Sequence, residues 1–148
     1  MAITRMTMVG AAAALLTTAA GVGIATAASS SGAATDDRAV RECRGQQATI
    51  VGSAGANEIE GTRGRDVIVG LAGNDEIEPK GGNDLVCAGG GADDVEGGSG
   101  ADRLFGSLGN DKLEGDRGND RLIGGRGFDK AEGDAGDDVC IAEITQRC

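Results

Sequence analysis

A nine-residue period dominates this chain. Ten consecutive units run from Gly52 to Ile141 without an insertion or deletion. The fourth position is glycine in every unit, and the sixth is aspartate in every unit except the first, which has Asn57. The eighth position is apolar throughout if Ala131 and Cys140 are included. A fixed period of this kind predicts a stack of like units, each burying its apolar residue against its neighbours.

The unit resembles the glycine- and aspartate-rich nonapeptide of RTX (hemolysin-type) calcium-binding repeats, G-G-x-G-x-D-x-U-x. The resemblance covers 90 of the 148 residues. Position two is glycine only at Gly89, Gly98 and Gly125, and position one is Pro79 in unit four and Ala88 in unit five. We expect any weakening of the calcium sites to fall in the turns of units four and five. The resemblance implies calcium ions held between stacked Gly/Asp turns.

Position nine shows that the structural repeat is a pair of units. Odd-numbered units end in Glu, whereas even-numbered units end in an apolar residue. This alternation predicts an all-β fold, a parallel β-roll (β-solenoid) with 18 residues per turn and about five turns. Position eight then points inward in two sheets. One sheet stacks Ile59, Ile77, Val95, Leu113 and Ala131, and the other stacks Ile68, Val86, Leu104, Leu122 and Cys140.

The aspartates at position six are the candidate metal ligands. Ca²⁺ takes six to eight oxygen ligands at flexible geometry, and a nearby glycine lets backbone carbonyls turn inward. The alternative is that each Asp only closes an Asx turn on its own backbone. Stacked carboxylates about 4.8 Å apart would repel one another without cations, which favours calcium, with up to eight ions. The candidate ligands are Asp66, Asp75, Asp84, Asp93, Asp102, Asp111, Asp120, Asp129 and Asp138.

The remaining segments predict an exported chain. Residues 1–27 have a positive start at Arg5, an apolar stretch and the small residues Ala25-Thr26-Ala27, as in a signal peptide. The alternative for residues 1–27 is a membrane anchor, which would need about 20 strongly apolar residues, whereas this stretch contains Thr7, Thr17 and Thr18. Residues 28–42 read as a flexible N-terminal segment, and 43–51 as a capping half-turn with Ile50 inward and Val51 outward. Residues 52–141 form the roll, and 142–148 form a C-terminal cap.

Four cysteines in an exported chain suggest two disulfides. Cys87 and Cys140 lie three predicted turns apart, about 14 Å, which is too far for a bridge. We therefore favour Cys43–Cys87 and Cys140–Cys148, which would fasten the two ends of the roll. Free thiols or a single bridge remain the alternative.

Composition limits the functional classes. The formal net charge of −10 disfavours nucleic acid and anionic membranes as partners and favours cations. The chain has no His, so the familiar Ser–His and metal–His catalytic sites are absent and an enzyme is not expected. We expect a secreted calcium-binding protein whose roll folds on binding Ca²⁺. The alternative is a calcium-dependent adhesion or protein-interaction module, either a homodimer or bound to another protein, that uses the apolar outer face of the even-numbered units. That face can instead be covered by residues 36–47 in a monomer.

Overall fold

The structure is a computed structural model that describes residues 4–5 and 42–148. It contains fifteen short β-strands, and the described residues form no helix and therefore none able to cross a membrane. The expected signal peptide lies outside the described residues except for the strand β1 (Thr4–Arg5). The expected flexible segment 28–42 also lies outside them except for Glu42.

Two parallel sheets make up the roll. Sheet one contains, in order, β1, β5 (Asn57–Glu60), β7 (Glu76–Glu78), β9 (Asp94–Glu96), β11 (Lys112–Glu114), β13 (Lys130–Glu132) and β15 (Ile144–Gln146). Sheet two contains β4 (Ile50–Val51), β6 (Val67–Ala72), β8 (Leu85–Gly90), β10 (Arg103–Leu108), β12 (Arg121–Arg126) and β14 (Val139–Ile141). From β4 to β14, paired residues are 18 apart in sequence, as in Ile59↔Ile77 and Leu104↔Leu122. The predicted β-solenoid of about five turns is confirmed.

The core is a double stack of position-eight side chains. Residues such as Ile77 and Leu104 are fully buried, and they align with the equivalent residues one turn before and after. The two predicted stacks form one contiguous cluster, against which Ile50 and Cys140 pack at the ends. Apart from Ala88 in unit five, only one inward residue per unit supplies this core, so the fold depends strongly on the turns.

A short antiparallel hairpin covers part of the outer face of sheet two. Its strands are β2 (Glu42–Cys43) and β3 (Gln46–Gln47), and Cys43 forms a disulfide with Cys87. The Arg44 guanidinium lies 4.1 Å from the ring centroid of Phe105. Beneath the hairpin lies a second buried apolar cluster, which includes Cys43 and Phe105. Coverage by residues 42–47 is therefore confirmed for this part of the apolar face, whereas residues 36–41 lie outside the described residues.

Residues 142–148 continue the repeat in a shortened form. β15 pairs with β13 in the register Ala131↔Thr145, so Ile144–Gln146 occupy positions seven to nine of an eleventh unit. The separation is 14 residues rather than 18, because four turn residues are missing. A second disulfide joins Cys140 to Cys148. Both disulfides have the pairing that we favoured from the sequence.

Candidate metal centre

The turns of units three to ten share one backbone conformation. In each of them position two has a φ between 65° and 122°, and the position-four glycine has a φ between 116° and 159°. Five of the position-two residues are not glycine: Leu71, Lys80, Ser107, Asp116 and Asp134. A left-handed φ is unfavourable for such residues, so the stacked turns must impose it. Units one and two lack these positive φ values in the described chain.

Each position-six aspartate from Asp75 to Asp138 links its turn to the turn 18 residues earlier. One carboxylate oxygen, Oδ1, accepts the backbone N–H of the residue 18 positions earlier. The Asp84 N–H donates to Asp102 Oδ1 at 2.7 Å, and the Asp102 N–H donates to Asp120 Oδ1 at 2.8 Å. The same bond recurs down both edges of the roll, and Glu143 Oε2 supplies it to Asp129 in the shortened unit at 2.9 Å. This ladder of hydrogen bonds fixes where every carboxylate points.

The second oxygen of these carboxylates has no partner. In eight aspartates Oδ2 is buried and accepts no hydrogen bond. A buried carboxylate oxygen without a donor or a cation is strongly unfavourable, so each one requires a partner of one of these two kinds. The eight fall into two columns of four, one at each edge of the roll: Asp75, Asp93, Asp111 and Asp129 in odd units, and Asp84, Asp102, Asp120 and Asp138 in even units.

The first two units are satisfied internally. Asp66 Oδ2 accepts hydrogen bonds from the Thr62 N–H at 2.7 Å and from the Thr62 hydroxyl at 2.9 Å. In unit one, Asn57 Oδ1 accepts the Ser53 N–H at 2.6 Å, and Asn57 Nδ2 donates to Ser53 Oγ at 2.8 Å. These side chains bond within their own turns, as in the alternative considered for the sequence, but to the residue four positions earlier and not to the residue two positions later as in an Asx turn. The structure thus separates Asp66 from the eight other predicted ligands.

Glycine at position one keeps open the space that Oδ2 faces. A Cβ built on Gly115 would lie 2.7 Å from Asp120 Oδ2 and 2.9 Å from the carbonyl oxygen of Gly133, one turn later. At Gly106 the corresponding distances are 2.3 Å to Asp111 Oδ2 and 2.6 Å to the carbonyl oxygen of Gly124. We call this space, bounded by Oδ2 and the next-turn carbonyl, the cradle. It brings together a carboxylate oxygen and a backbone carbonyl oxygen, the two kinds of oxygen ligand that Ca²⁺ commonly takes.

Units four and five have no glycine at position one. Their position-one residues, Pro79 and Ala88, already place a side-chain carbon where the glycines leave space. Even so, Asp84 and Asp93 keep the buried, unpartnered Oδ2 of the other turns. The carboxylate is therefore in place in both units, and the difference lies in the room beside it.

Burial makes six of these carboxylates poor anions. Burial raises the pKa of Asp102 from 3.8 to about 7, against the opposing hydrogen bond from the Asp84 N–H, and the carboxylates of Asp84 and Asp120 add to the rise. Burial likewise raises the pKa of Asp75 and of Asp111 to about 6. It is the main cause of a raised pKa at three further aspartates: Asp84, Asp93 and Asp120. A bound cation would remove this penalty.

No cluster of side chains alone forms a metal site. Within residues 4–5 and 42–148, no three His, Cys, Asp or Glu side chains meet at one point. Each cradle instead offers one carboxylate oxygen together with backbone carbonyl oxygens. A donor set made only of oxygen suits a hard cation and does not suit zinc or copper.

Comparison with known proteins agrees with this geometry. A family model described as RTX calcium-binding nonapeptide repeat (4 copies) matches residues 51–86, 88–122 and 114–143, which is more than half of the chain. The chain belongs to the RTX calcium-binding repeat family. Among curated proteins and solved structures, no match to this RTX chain was found.

Within this RTX chain, a hydroxyl at position two accompanies the two self-satisfied turns but does not define them. Ser53 and Thr62, in the first two units, carry at position two a hydroxyl that reaches the position-six side chain. Ser107 also stands at position two, but its φ of 90° belongs to the other turn conformation. A hydroxyl alone therefore does not identify a self-satisfied turn, and its place at the start of the array matters as well.

Proposed function

We propose that this RTX chain binds Ca²⁺ in two columns, one along each edge of the roll. The observation that supports this proposal best is the set of eight buried Oδ2 atoms without hydrogen-bond partners. One ion per cradle would be held by Oδ2 and by backbone carbonyls, up to eight in all. The cradles of Asp84 and Asp93 would be the weaker ones, because Pro79 and Ala88 replace the position-one glycine. Asp66 would take no ion.

Calcium fits these sites better than magnesium does. Mg²⁺ requires near-ideal octahedral geometry at 2.0–2.1 Å and gives up its water reluctantly. The cradle oxygens are fixed by the Asp ladder and by the backbone, so they cannot close around a smaller ion. Ca²⁺ tolerates irregular coordination and longer distances, and carbonyl oxygens are common among its ligands.

We further propose that binding and folding are coupled. The inner stack has one apolar residue per unit, and glycine-rich turns lose much conformational entropy on ordering. The unpartnered carboxylates oppose folding until a cation neutralises them. Calcium would then supply free energy that the thin core cannot, as in other metal-dependent small domains.

Far-UV circular dichroism against calcium concentration tests both proposals. We expect a β-sheet signal that appears cooperatively with Ca²⁺, disappears in excess chelator and does not appear with Mg²⁺ alone. Equilibrium dialysis on the same samples gives the number of ions per chain. A β signal that is unchanged in chelator would contradict the coupling, and absence of bound calcium would contradict the function itself.

An extracellular setting is part of the proposal. The two disulfides, Cys43–Cys87 and Cys140–Cys148, are typical of oxidising compartments, and residues 1–27 have the pattern of a signal peptide. Extracellular calcium reaches millimolar concentrations, which suits sites of modest affinity. Detection of the processed chain in the culture medium, with its new N terminus sequenced, would test this.

A second candidate function is partner binding through the apolar face. Beyond the hairpin, Val139 and Ile141 are 48% and 53% exposed on the outer side of sheet two. Either a homodimer or another protein could cover them. Sedimentation in calcium tests the homodimer, which a strict monomer would exclude. Ile141→Glu should abolish any association, with a second copy or with another protein, that uses this face.

A further inference from the structure

The last even-unit cradle, at Asp138, is completed by a residue outside the nonapeptide array. A Cβ built on Gly133 would lie 2.6 Å from Asp138 Oδ2 and 2.6 Å from the carbonyl oxygen of Arg147. In the preceding cradle, the corresponding atoms are Asp120 Oδ2 and the carbonyl oxygen of Gly133. Arg147 thus provides the carbonyl that position one of the next even unit would provide.

The backbone around Arg147 keeps the phase of the array. Gly133 N–H donates to the carbonyl of Gln146 at 3.0 Å, as Gly115 N–H donates to the carbonyl of Glu132 at 2.8 Å. Glu143 occupies position six and caps the Asp129 N–H. Only the first four turn positions are missing, so residues 143–147 reproduce the part of a repeat that faces the cradle.

A disulfide holds this substitute carbonyl in place. The Arg147 carbonyl carbon is bonded to the nitrogen of Cys148, and Cys148 is joined to Cys140 in unit ten. The Arg147 side chain forms ion pairs with Asp134 and Glu132, and in both pairs the arginine side chain is exposed. The covalent link therefore holds the Arg147 carbonyl in position, whereas the earlier carbonyls are held by the continuous stacking of the turns.

We propose that the Cys140–Cys148 disulfide assembles a calcium site from Asp138 Oδ2 and the Arg147 carbonyl, so that the occupancy of this site depends on the redox state of that disulfide. The inference rests on the calcium-binding function proposed above and deepens it. When this disulfide is formed, the chain holds the ion at Asp138. When the disulfide is reduced, the backbone of Arg147 must be ordered at each binding event, which weakens this one site about tenfold, the cost of ordering roughly one backbone residue.

The test compares calcium stoichiometry and affinity, by equilibrium dialysis and calorimetry, in four full-length chains. These are the unmodified chain, Asp138→Asn, Cys140→Ala/Cys148→Ser, and the combination of all three substitutions. We expect Asp138→Asn to bind one ion fewer. The disulfide variant should bind that same ion about tenfold more weakly, and the combined variant should lose no further ion, because both changes act on one site.

A matched control removes the other disulfide. Cys43→Ser/Cys87→Ser should keep the full number of ions, since that bridge lies far from Asp138 in sequence and holds the hairpin. Mild reduction of this control chain then opens Cys140–Cys148 without changing any side chain of the site. It should lower the affinity for one calcium ion.

The outcomes separate the two proposals. If no chain binds calcium, the proposed function fails. If Asp138→Asn loses an ion but opening Cys140–Cys148 changes neither number nor affinity, the redox-dependent site is refuted while the function stands. If opening the disulfide loses several ions together with the β signal in circular dichroism, the disulfide acts through overall stability, and the site-specific inference is again refuted.

Discussion

Replacing Asp102 by Asn should make the roll easier to fold while removing one calcium ion. The amide keeps an oxygen that can accept the Asp84 N–H, now donated to Oδ1 at 2.7 Å. It removes the buried charge, and it places a donor rather than an acceptor in the cradle. The variant thus preserves the ladder of hydrogen bonds and eliminates only the anionic ligand.

The size of the effect follows from the pKa of Asp102. A folded-state pKa of about 7, against an ordinary 3.8, means that the ionised group destabilises the calcium-free roll at neutral pH. Each pKa unit corresponds to ~1.4 kcal/mol, so the destabilisation is about 4 kcal/mol. Asn does not ionise and avoids it. Against this, the variant loses the linkage free energy of one ion, about 2.7 kcal/mol when calcium is 100-fold above the dissociation constant.

A calcium titration followed by far-UV circular dichroism at pH 7.5 measures the balance. Because less electrostatic free energy opposes folding, we expect the midpoint of Asp102→Asn to move to lower calcium. Because one ion fewer takes part, the transition should be less steep. Equilibrium dialysis should count one ion fewer per chain at saturation.

Asp66→Asn is the matched control. Asn57 already fills the equivalent place in unit one, bonding Ser53 through both amide atoms. An amide at position 66 can bond Thr62 in the same way, so the ion count should not change. A higher folding midpoint for Asp102→Asn, or a full number of bound ions, would refute the reasoning, as would loss of an ion in Asp66→Asn.

Other changes test the fold and the turns separately. Gly118→Ala should largely prevent calcium-induced folding in circular dichroism, because a Cβ there would lie 1.5 Å from the carbonyl oxygen one turn earlier, at a φ of 147°. Leu104→Ala should cost about 2–5 kcal/mol of unfolding free energy in urea titrations, whereas Ile141→Ala, which is half exposed, should cost under about 0.5 kcal/mol. Ala88→Gly should open the cradle of unit five and strengthen one calcium site in calorimetry. Lowering the pH from 7 to 5 should stabilise the calcium-free roll in circular dichroism and weaken calcium binding, because residues such as Asp102, with a pKa raised to about 7, take up protons in the folded chain.

The architecture was readable from the sequence because it depends on periodic positions. Position eight fixed the inner stacks, and the alternation between Glu78 and Cys87 at position nine fixed the 18-residue turn. The turn length excluded Cys87–Cys140, and the closeness of Cys140 to Cys148 in sequence then favoured Cys43–Cys87. These inferences need the period, the strand spacing and the positions of the cysteines, and none of them depends on detailed turn geometry.

The differences among the turns were not readable in the same way. Whether Asp66 keeps a free oxygen depends on the φ of Thr62, which the nine-residue pattern does not determine. The replacement of the position-one glycine by Pro79 and Ala88 was visible in the sequence. These residues affect the space beside the carboxylate and leave the carboxylate itself in place. The role of Arg147 depends on a backbone atom in a shortened turn, so residue identity carries no signal for it.

The two columns of buried carboxylates also govern the sign of the charge that the molecule presents. The sequence has a formal net charge of −10. Removal of the expected signal peptide takes away Arg5 and leaves a charge of −11, so six Ca²⁺ ions in the glycine-lined cradles would bring it to +1 and eight ions at all the unpartnered oxygens to +5. Loading would therefore reverse the direction in which the protein moves in an electric field at neutral pH. An anionic surface that repels the empty chain would attract the loaded one, so calcium would select among partners by charge as well as by fold.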